Sequence, residues 1–142
     1  MGRVCTYLNF AGNTEEAFSR YAEIFSTSVT SLMRFSDMGV PVPENEQSLI
    51  MNMQLPIFAY HVIMGTDMLA SMGHELRIGN NTTIVLETDT RDQADHFFTE
   101  LRRGGDEQQQ QGMANMPWGA YWGTCLDAYG IRWMISHTSI EI

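Results

Sequence analysis

The segment LDAYGIRWMISH, Leu126 to His137, reads as a turn followed by a strand. Strand alternation puts Arg132, Met134 and Ser136 on one face and Trp133, Ile135 and His137 on the other. An arginine fixed on a sheet face can hold a carboxylate or a phosphonate through two parallel N–H bonds. Alternation also keeps Glu87 on the Thr83 face of its own strand, and Glu87 faces Arg132 if Thr83 and Met134 point to the same side. The competing reading is therefore an internal Arg132–Glu87 ion pair. Both stand at this level.

The remaining residues with chemical potential are scattered. His61 opens a strand-like run, where a lone histidine is usually surface or rim; it is kept as a ligand-contact candidate. His74 and His96 read as linker and helix surface, and His137 has no nameable partner. Triads of the Ser-His-Asp kind are recognised by geometry and not by spacing, so none is assigned. Cys5 and Cys125 lie far apart in strand-like runs, with no C-x-x-C between them. They read as small buried hydrophobes, and neither a metal site nor a disulfide framework is expected. A reducing cytoplasm is the expected compartment. Trp118 and Tyr121, in PWGAYWG, lie where a strand enters its sheet. They offer either a rim contact to a ligand or packing across a dimer interface.

Charge excludes whole classes of partner. The 142 residues carry eight arginines, no lysine and a net charge of −9. Such a surface repels nucleic acid and anionic lipid, so neither is an expected partner. No apolar run reaches the roughly 18–20 residues of a membrane span, and the N-terminal residues do not read as a signal peptide.

These residues must be positioned by a repeated unit. VCTYLNF, residues 4–10, is β-rich; Asn13 is placed as an N-cap, and Ala17, Phe18, Tyr21, Ile24 and Phe25 follow at helical spacing. Strand-like runs come next at Val29–Phe35, Ser48–Leu55, which Pro56 is expected to break, and Tyr60–Gly65. Residues 67–80 lack a period and read as a linker. A second strand then spans Thr82–Thr88, with a helix carrying Ala94, Phe97, Phe98 and Leu101 and ending at Gly104-Gly105. After EQQQQ, read as a solvated edge or loop, come two further strands joined by a turn at Asp127–Gly130. An offset of 77 brings Thr6 onto Thr83, Ala17 onto Ala94 and Tyr21 onto Phe98. Each half reads β-α-β-β-β, module 1 over residues 1–66 and module 2 over 81–142, within one domain of residues 1–142.

YLNFAGNTEEAF (Tyr7–Phe18), PWGAYWG (Pro117–Gly123) and LDAYGIRWMISH resemble the PhnB-like family of the vicinal oxygen chelate superfamily. That superfamily includes glyoxalase I, extradiol dioxygenases and bleomycin-resistance proteins. The resemblance implies an α+β fold. Two βαβββ modules form a curled eight-stranded mixed sheet, with helices on the outer face and a concave cavity. In the metal enzymes of the superfamily, the first and last strands of each module supply four ligands, usually His, Gln or Glu. Counted back from the helix caps and along the last strands, those positions here are Thr6, Met64, Thr83 and Met134. A neutral hydroxyl and a thioether suit zinc, nickel or iron(II) poorly, so no metal and no cofactor are expected. Met64 and Met134 are expected to line an adaptable cavity. The leading expectation is a metal-free protein binding a small organic molecule, with Arg132, Glu87, Trp118, Tyr121, His61 and Ser136 as ligand contacts. The alternatives are a lyase or other enzyme of the superfamily acting on a small organic acid, and a dimer without a ligand. A homodimer is expected from the resemblance. Ubiquinone-pathway methyltransferase and DNA-binding labels attached to relatives are not supported, because no Gly-rich Rossmann loop is present and the surface is acidic.

Overall fold

The computed structural model describes residues 2–138. The chain separates into two compact units, divided between Arg77 and Ile78.

In the first unit β1 (Thr6–Phe10) leads into α1 (Thr14–Ile24), followed by β2 (Ser31–Arg34), β3 (Ile50–Ile57) and β4 (His61–Asp67). The sheet order is β1-β4-β3-β2, with β1 and β4 parallel and the other pairs antiparallel. Ala17, Phe18, Tyr21 and Ile24 form the buried stripe of α1, as their spacing predicts. Phe10 meets Phe18 edge-on at 5.9 Å, and Leu55 and Ile63 complete the core. Gly65 shows which side of the sheet is covered: a Cβ there would lie 2.7 Å from the Phe18 ring and 2.8 Å from Thr14. β3 continues through Pro56, which does not break it. β2 pairs no further along than Gln54, so Pro56 has a neighbouring strand on one side only, where proline is tolerated.

The second unit holds β5 (Ile84–Glu87), α2 (Arg91–Leu101), β6 (Gln111–Asn115), β7 (Ala120–Leu126) and β8 (Arg132–Thr138), in the sheet order β5-β8-β7-β6. Thr90 caps α2, accepting a bond from the Gln93 N–H at 3.0 Å. Ala94, Phe97, Phe98 and Leu101 are buried on the sheet side of α2, with Trp133 and Ile135 of β8 fully buried. Both units are thus βαβββ modules of an α+β fold, one helix over one face of each mixed sheet.

The two helices repeat at an offset of 77 residues, Thr14–Ile24 against Arg91–Leu101. The first strands do not. Met64 pairs with Tyr7, and the equivalent Met134 pairs with Val85, an offset of 85 − 7 = 78. From the residue opposite the methionine to the start of the helix is seven positions in the first module, Tyr7 to Thr14, and six in the second, Val85 to Arg91. A one-residue slip turns every strand side chain to the other face. Thr6 therefore lies opposite Ile63 on the helix side of its sheet, and Tyr7 takes the place beside Met64 where the cap count put Thr6.

Residues 67–80 are also not a free linker. Asp67 ends β4, the Met68 N–H bonds the Phe10 carbonyl, and Leu69 is buried. At the other end, Ile78 lies against Gly130 in the turn between β7 and β8.

Candidate functional site

Each sheet has one face under its helix and one face open. In the first unit the open face carries Tyr7, Asn52, Gln54 and Met64, matched across the ladders, and Tyr7 is 53% exposed. The Gln54 amide donates to Asn52 Oδ1 at 3.2 Å. His61 is not on this face. It shares the helix-side parity of Ile63, and its Nε2 is 2.8 Å from Thr6 Oγ1, so the two candidates satisfy each other.

In the second unit the open face carries Val85 and Glu87 of β5, Arg132, Met134 and Ser136 of β8, and Trp122 and Thr124 of β7. The alternation expected along β8 holds: Trp133 and Ile135 are buried under α2, and their neighbours are half-exposed. Thr83 precedes β5 and is exposed; Val85 is the residue opposite Met134. Trp118 is 63% exposed in the turn between β6 and β7, edge-on to Trp122 at 6.2 Å. Tyr121 is turned to the other side. The Arg91 guanidinium lies 3.8 Å over its ring, and its hydroxyl donates to Asp95 of α2. That bond to a carboxylate favours the neutral phenol and raises its pKa.

Arg132 and Glu87 share a face without pairing. Glu87 lies opposite Ser136, four residues from Arg132 along β8, about 13 Å at an ordinary strand rise. The guanidinium is held by neutral acceptors instead. Its Nε donates to the Gly79 carbonyl at 2.8 Å, and Nη2 donates to Gln109 Oε1. Among the described residues no carboxylate forms an ion pair with Arg132. Val85 and Met134 follow further along the same face.

The buried carboxylates serve the fold. Asp67 Oδ1 accepts from the Gly12 N–H, the Thr14 N–H and the Thr14 hydroxyl, and Oδ2 accepts from the Ile50 N–H at 2.8 Å. It caps α1, where Asn13 occupies the cap position but makes no side-chain cap bond. Asp127 Oδ1 accepts from the Tyr129 and Ile131 N–H groups, and Oδ2 accepts from the Trp133 indole at 2.8 Å. Trp133 is thereby fixed as a core residue. Burial, with Asp127 nearby, pushes the Cys125 thiol up to about 12, which removes it as a nucleophile. Among the described residues no group of three or more His, Cys, Asp and Glu side chains is placed to hold a metal ion. On its open face the first unit pairs Tyr7 with Met64, and the second unit pairs Val85 with Met134. A phenol, a thioether and an alkyl group are not the imidazole and carboxylate donors that zinc, nickel or iron(II) prefers.

A family model described as 3-demethylubiquinone-9 3-methyltransferase matches residues 2–136, and the chain belongs to that family, the PhnB-like group with the glyoxalase and bleomycin-resistance fold. It is similar to Protein YjdN of Escherichia coli (strain K12), at 24% identity over 136 residues, 92% of this chain and 91% of that protein. Among solved structures it is similar to protein PA1353 from Pseudomonas aeruginosa, with a TM-score of 0.81 and 24% identity over 97% and 98% of the two chains. A putative 3-demethylubiquinone-9 3-methyltransferase, PhnB protein, from Bacillus cereus gives 0.78 and 19% over 96% and 100%. The bleomycin resistance determinant encoded on transposon Tn5 gives 0.57 and 8% over 99% and 100%. At these identities the likeness is one of fold.

Proposed function

We propose that this protein binds a small organic anion on the open face of its second sheet, with Arg132 as the anchoring cation and no metal ion or cofactor. The carrying observation is that the Arg132 guanidinium is fixed by two neutral acceptors, with its nearest sheet-face carboxylate, Glu87, displaced by the β5–β8 register. A fixed, unpaired cation beside apolar side chains is the arrangement that selects an anion with an organic body. Val85 and Met134 supply the apolar surface next along this face, and Trp122 and Ser136, in the row of Glu87, with Trp118 beyond them, would meet only the far end of a longer ligand. Tyr121 and His61 take no part in it, since each is engaged on the helix side of its sheet.

A binding role agrees with the likeness in fold to TnmS3, an antibiotic binding protein from Streptomyces sp. CB03234. Methyl transfer draws less support. Each sheet has a single parallel pair, not the doubly wound parallel sheet whose glycine-rich turn cradles a nucleotide cofactor. The acidic surface argues against nucleic acid, and no helix among the described residues is long and apolar enough to cross a membrane. We further propose a cytoplasmic homodimer: β1 and β5 are edge strands with exposed Tyr7 and Val85, and a two-fold partner covers such edges.

A thermal-shift titration with benzoate and phenylphosphonate, with benzamide as the neutral control, tests the binding. The anions are expected to raise Tm with concentration, and Arg132→Met is expected to abolish the shift. Equal stabilisation of wild type and variant, or by benzamide and benzoate alike, would refute the site. Stoichiometric zinc, nickel, iron or manganese on the purified protein would refute the metal-free reading. Sedimentation as a 16.1 kDa monomer at micromolar concentration would refute the dimer.

A further inference from the structure

We infer that Gln109, in the run EQQQQ, is the positioning residue that sets how Arg132 meets an anion: it closes one edge of the guanidinium and leaves the end edge for a carboxylate. The inference rests on the anion reading of Arg132 and specifies its geometry.

A guanidinium offers two forks of paired N–H groups, one from Nε with Nη2 and one from Nη1 with Nη2. With the Nη2 hydrogen beside Nε given to Gln109, the first fork is filled within the protein. Nε donates to the Gly79 carbonyl and Nη2 to Gln109 Oε1. Among the described residues Nη1 and the second N–H of Nη2 have no protein partner. A carboxylate arriving at this arginine is therefore met end-on, by Nη1 and Nη2 together.

The glutamine cannot turn over. Its Nε2 donates to Asp106 Oδ2 at 3.1 Å while its Oε1 accepts from Arg132. Exchanging the amide oxygen and nitrogen would face two donors at Arg132 and two acceptors at Asp106. Asp106 is itself fixed, its Oδ1 accepting from the Gln108 N–H at 2.9 Å. The amide is thus a spacer between a carboxylate and a guanidinium that would otherwise be free to pair. It holds Arg132 still and keeps Asp106 from neutralising it. A solvated glutamine run needs none of this. Gly79 enters through the tie of residues 78–79 to the β7–β8 turn, which places its carbonyl at Nε.

The test uses two independent readouts on the full chain. The first needs no anion: nitrogen-15 NMR of the arginine side chains, with Arg132 assigned by its absence from Arg132→Lys. Wild type is expected to show slow rotation about the Cζ–Nη2 bond of Arg132, and Gln109→Met fast rotation. The second is benzoate titration by calorimetry. Gln109→Met is expected to weaken binding at least tenfold, and Gln109→Glu, which adds a competing charge at the same atom, to abolish it. Gln109 is exposed, so both variants are expected to keep Tm within about 3 °C of wild type. Fast Nη2 rotation already present in wild type overturns the inference, as does unchanged benzoate affinity in Gln109→Glu. If slow rotation is seen but benzoate and phenylphosphonate fail to bind wild type, the anion reading of Arg132 is what falls, while the Gln109 tether stands.

Discussion

Glu87 faces Ser136 across the parallel β5–β8 ladder, and this single pairing separates it from Arg132 by four residues of strand. Two groups that far apart, with solvent over the face, are energetically independent. A double-mutant cycle of Glu87→Gln and Arg132→Met, followed by urea unfolding, is expected to give a coupling energy below about 0.5 kcal/mol. Arg132→Met alone is expected to cost about 1 kcal/mol, for the bonds to Gly79 and Gln109. A large single loss repaired in the double mutant would restore the ion pair.

Asp67 presents the opposite case, a carboxylate with no freedom. It is 3% exposed and accepts four bonds, from Gly12, Thr14 twice and Ile50. Asp67→Asn keeps the shape. With its oxygen retained toward Gly12 and Thr14, its amide nitrogen faces the Ile50 N–H, donor against donor. The expected cost is about 3 kcal/mol, combining a lost charge-assisted bond with an unsatisfied buried donor. The midpoint of urea unfolding checks it; a shift no larger than that of a surface control would refute the capping role.

What the sequence shows of this molecule follows from how far apart the interacting residues are. Both helices are legible because Ala17, Phe18 and Tyr21, like Ala94, Phe98 and Leu101, carry the 3.6-residue period within a few residues of one another. The face of Arg132 is legible because Trp133 and Ile135 bracket Met134. The face of Thr6 is not. A count back from the helix cap misplaces it, because the residue opposite the methionine stands seven positions before the helix in the first module and six in the second. Nor is the true cap of α1, since Asp67 acts on Thr14 from 53 residues away. Gln109 was hidden for another reason: in a run of glutamines, type and spacing give no member a distinguishing signal. The resemblance gave the modules and the fold, but it could not supply the side chains that hold Arg132.

Gly65 fixes the spacing between β4 and α1. A methyl group at this position would stand 2.7 Å from Phe18 and 2.8 Å from Thr14, both fully buried and unable to withdraw. Gly65→Ala is expected to destabilise the protein by about 1–3 kcal/mol through overpacking. Gly112→Ala, with nothing within 4 Å of the added carbon, is the control and should stay within about 0.5 kcal/mol. Equal stabilities would mean that α1 does not sit against this face.

Cys125 and Cys5 should behave as two different thiols. Cys125 is 2% exposed and its pKa is raised from 9.0 to about 12, chiefly by burial, whereas Cys5 is half-buried. The folded protein is expected to release one equivalent of colour with a disulfide reagent at pH 8, and two once denatured. A pH dependence follows as well. The raised pKa means that the folded state keeps a proton which the unfolded state loses above about pH 9. Folding is therefore favoured fully below pH 9, and stability falls as pH climbs from about 9 toward 12. Tyr121, raised by its bond to Asp95, contributes in the same direction. In Cys125→Ala the alkaline decline should be shallower than in wild type, leaving the Tyr121 part. Urea midpoints measured between pH 8 and pH 11 decide it, since an identical decline in both proteins would mean that Cys125 ionises as readily folded as unfolded.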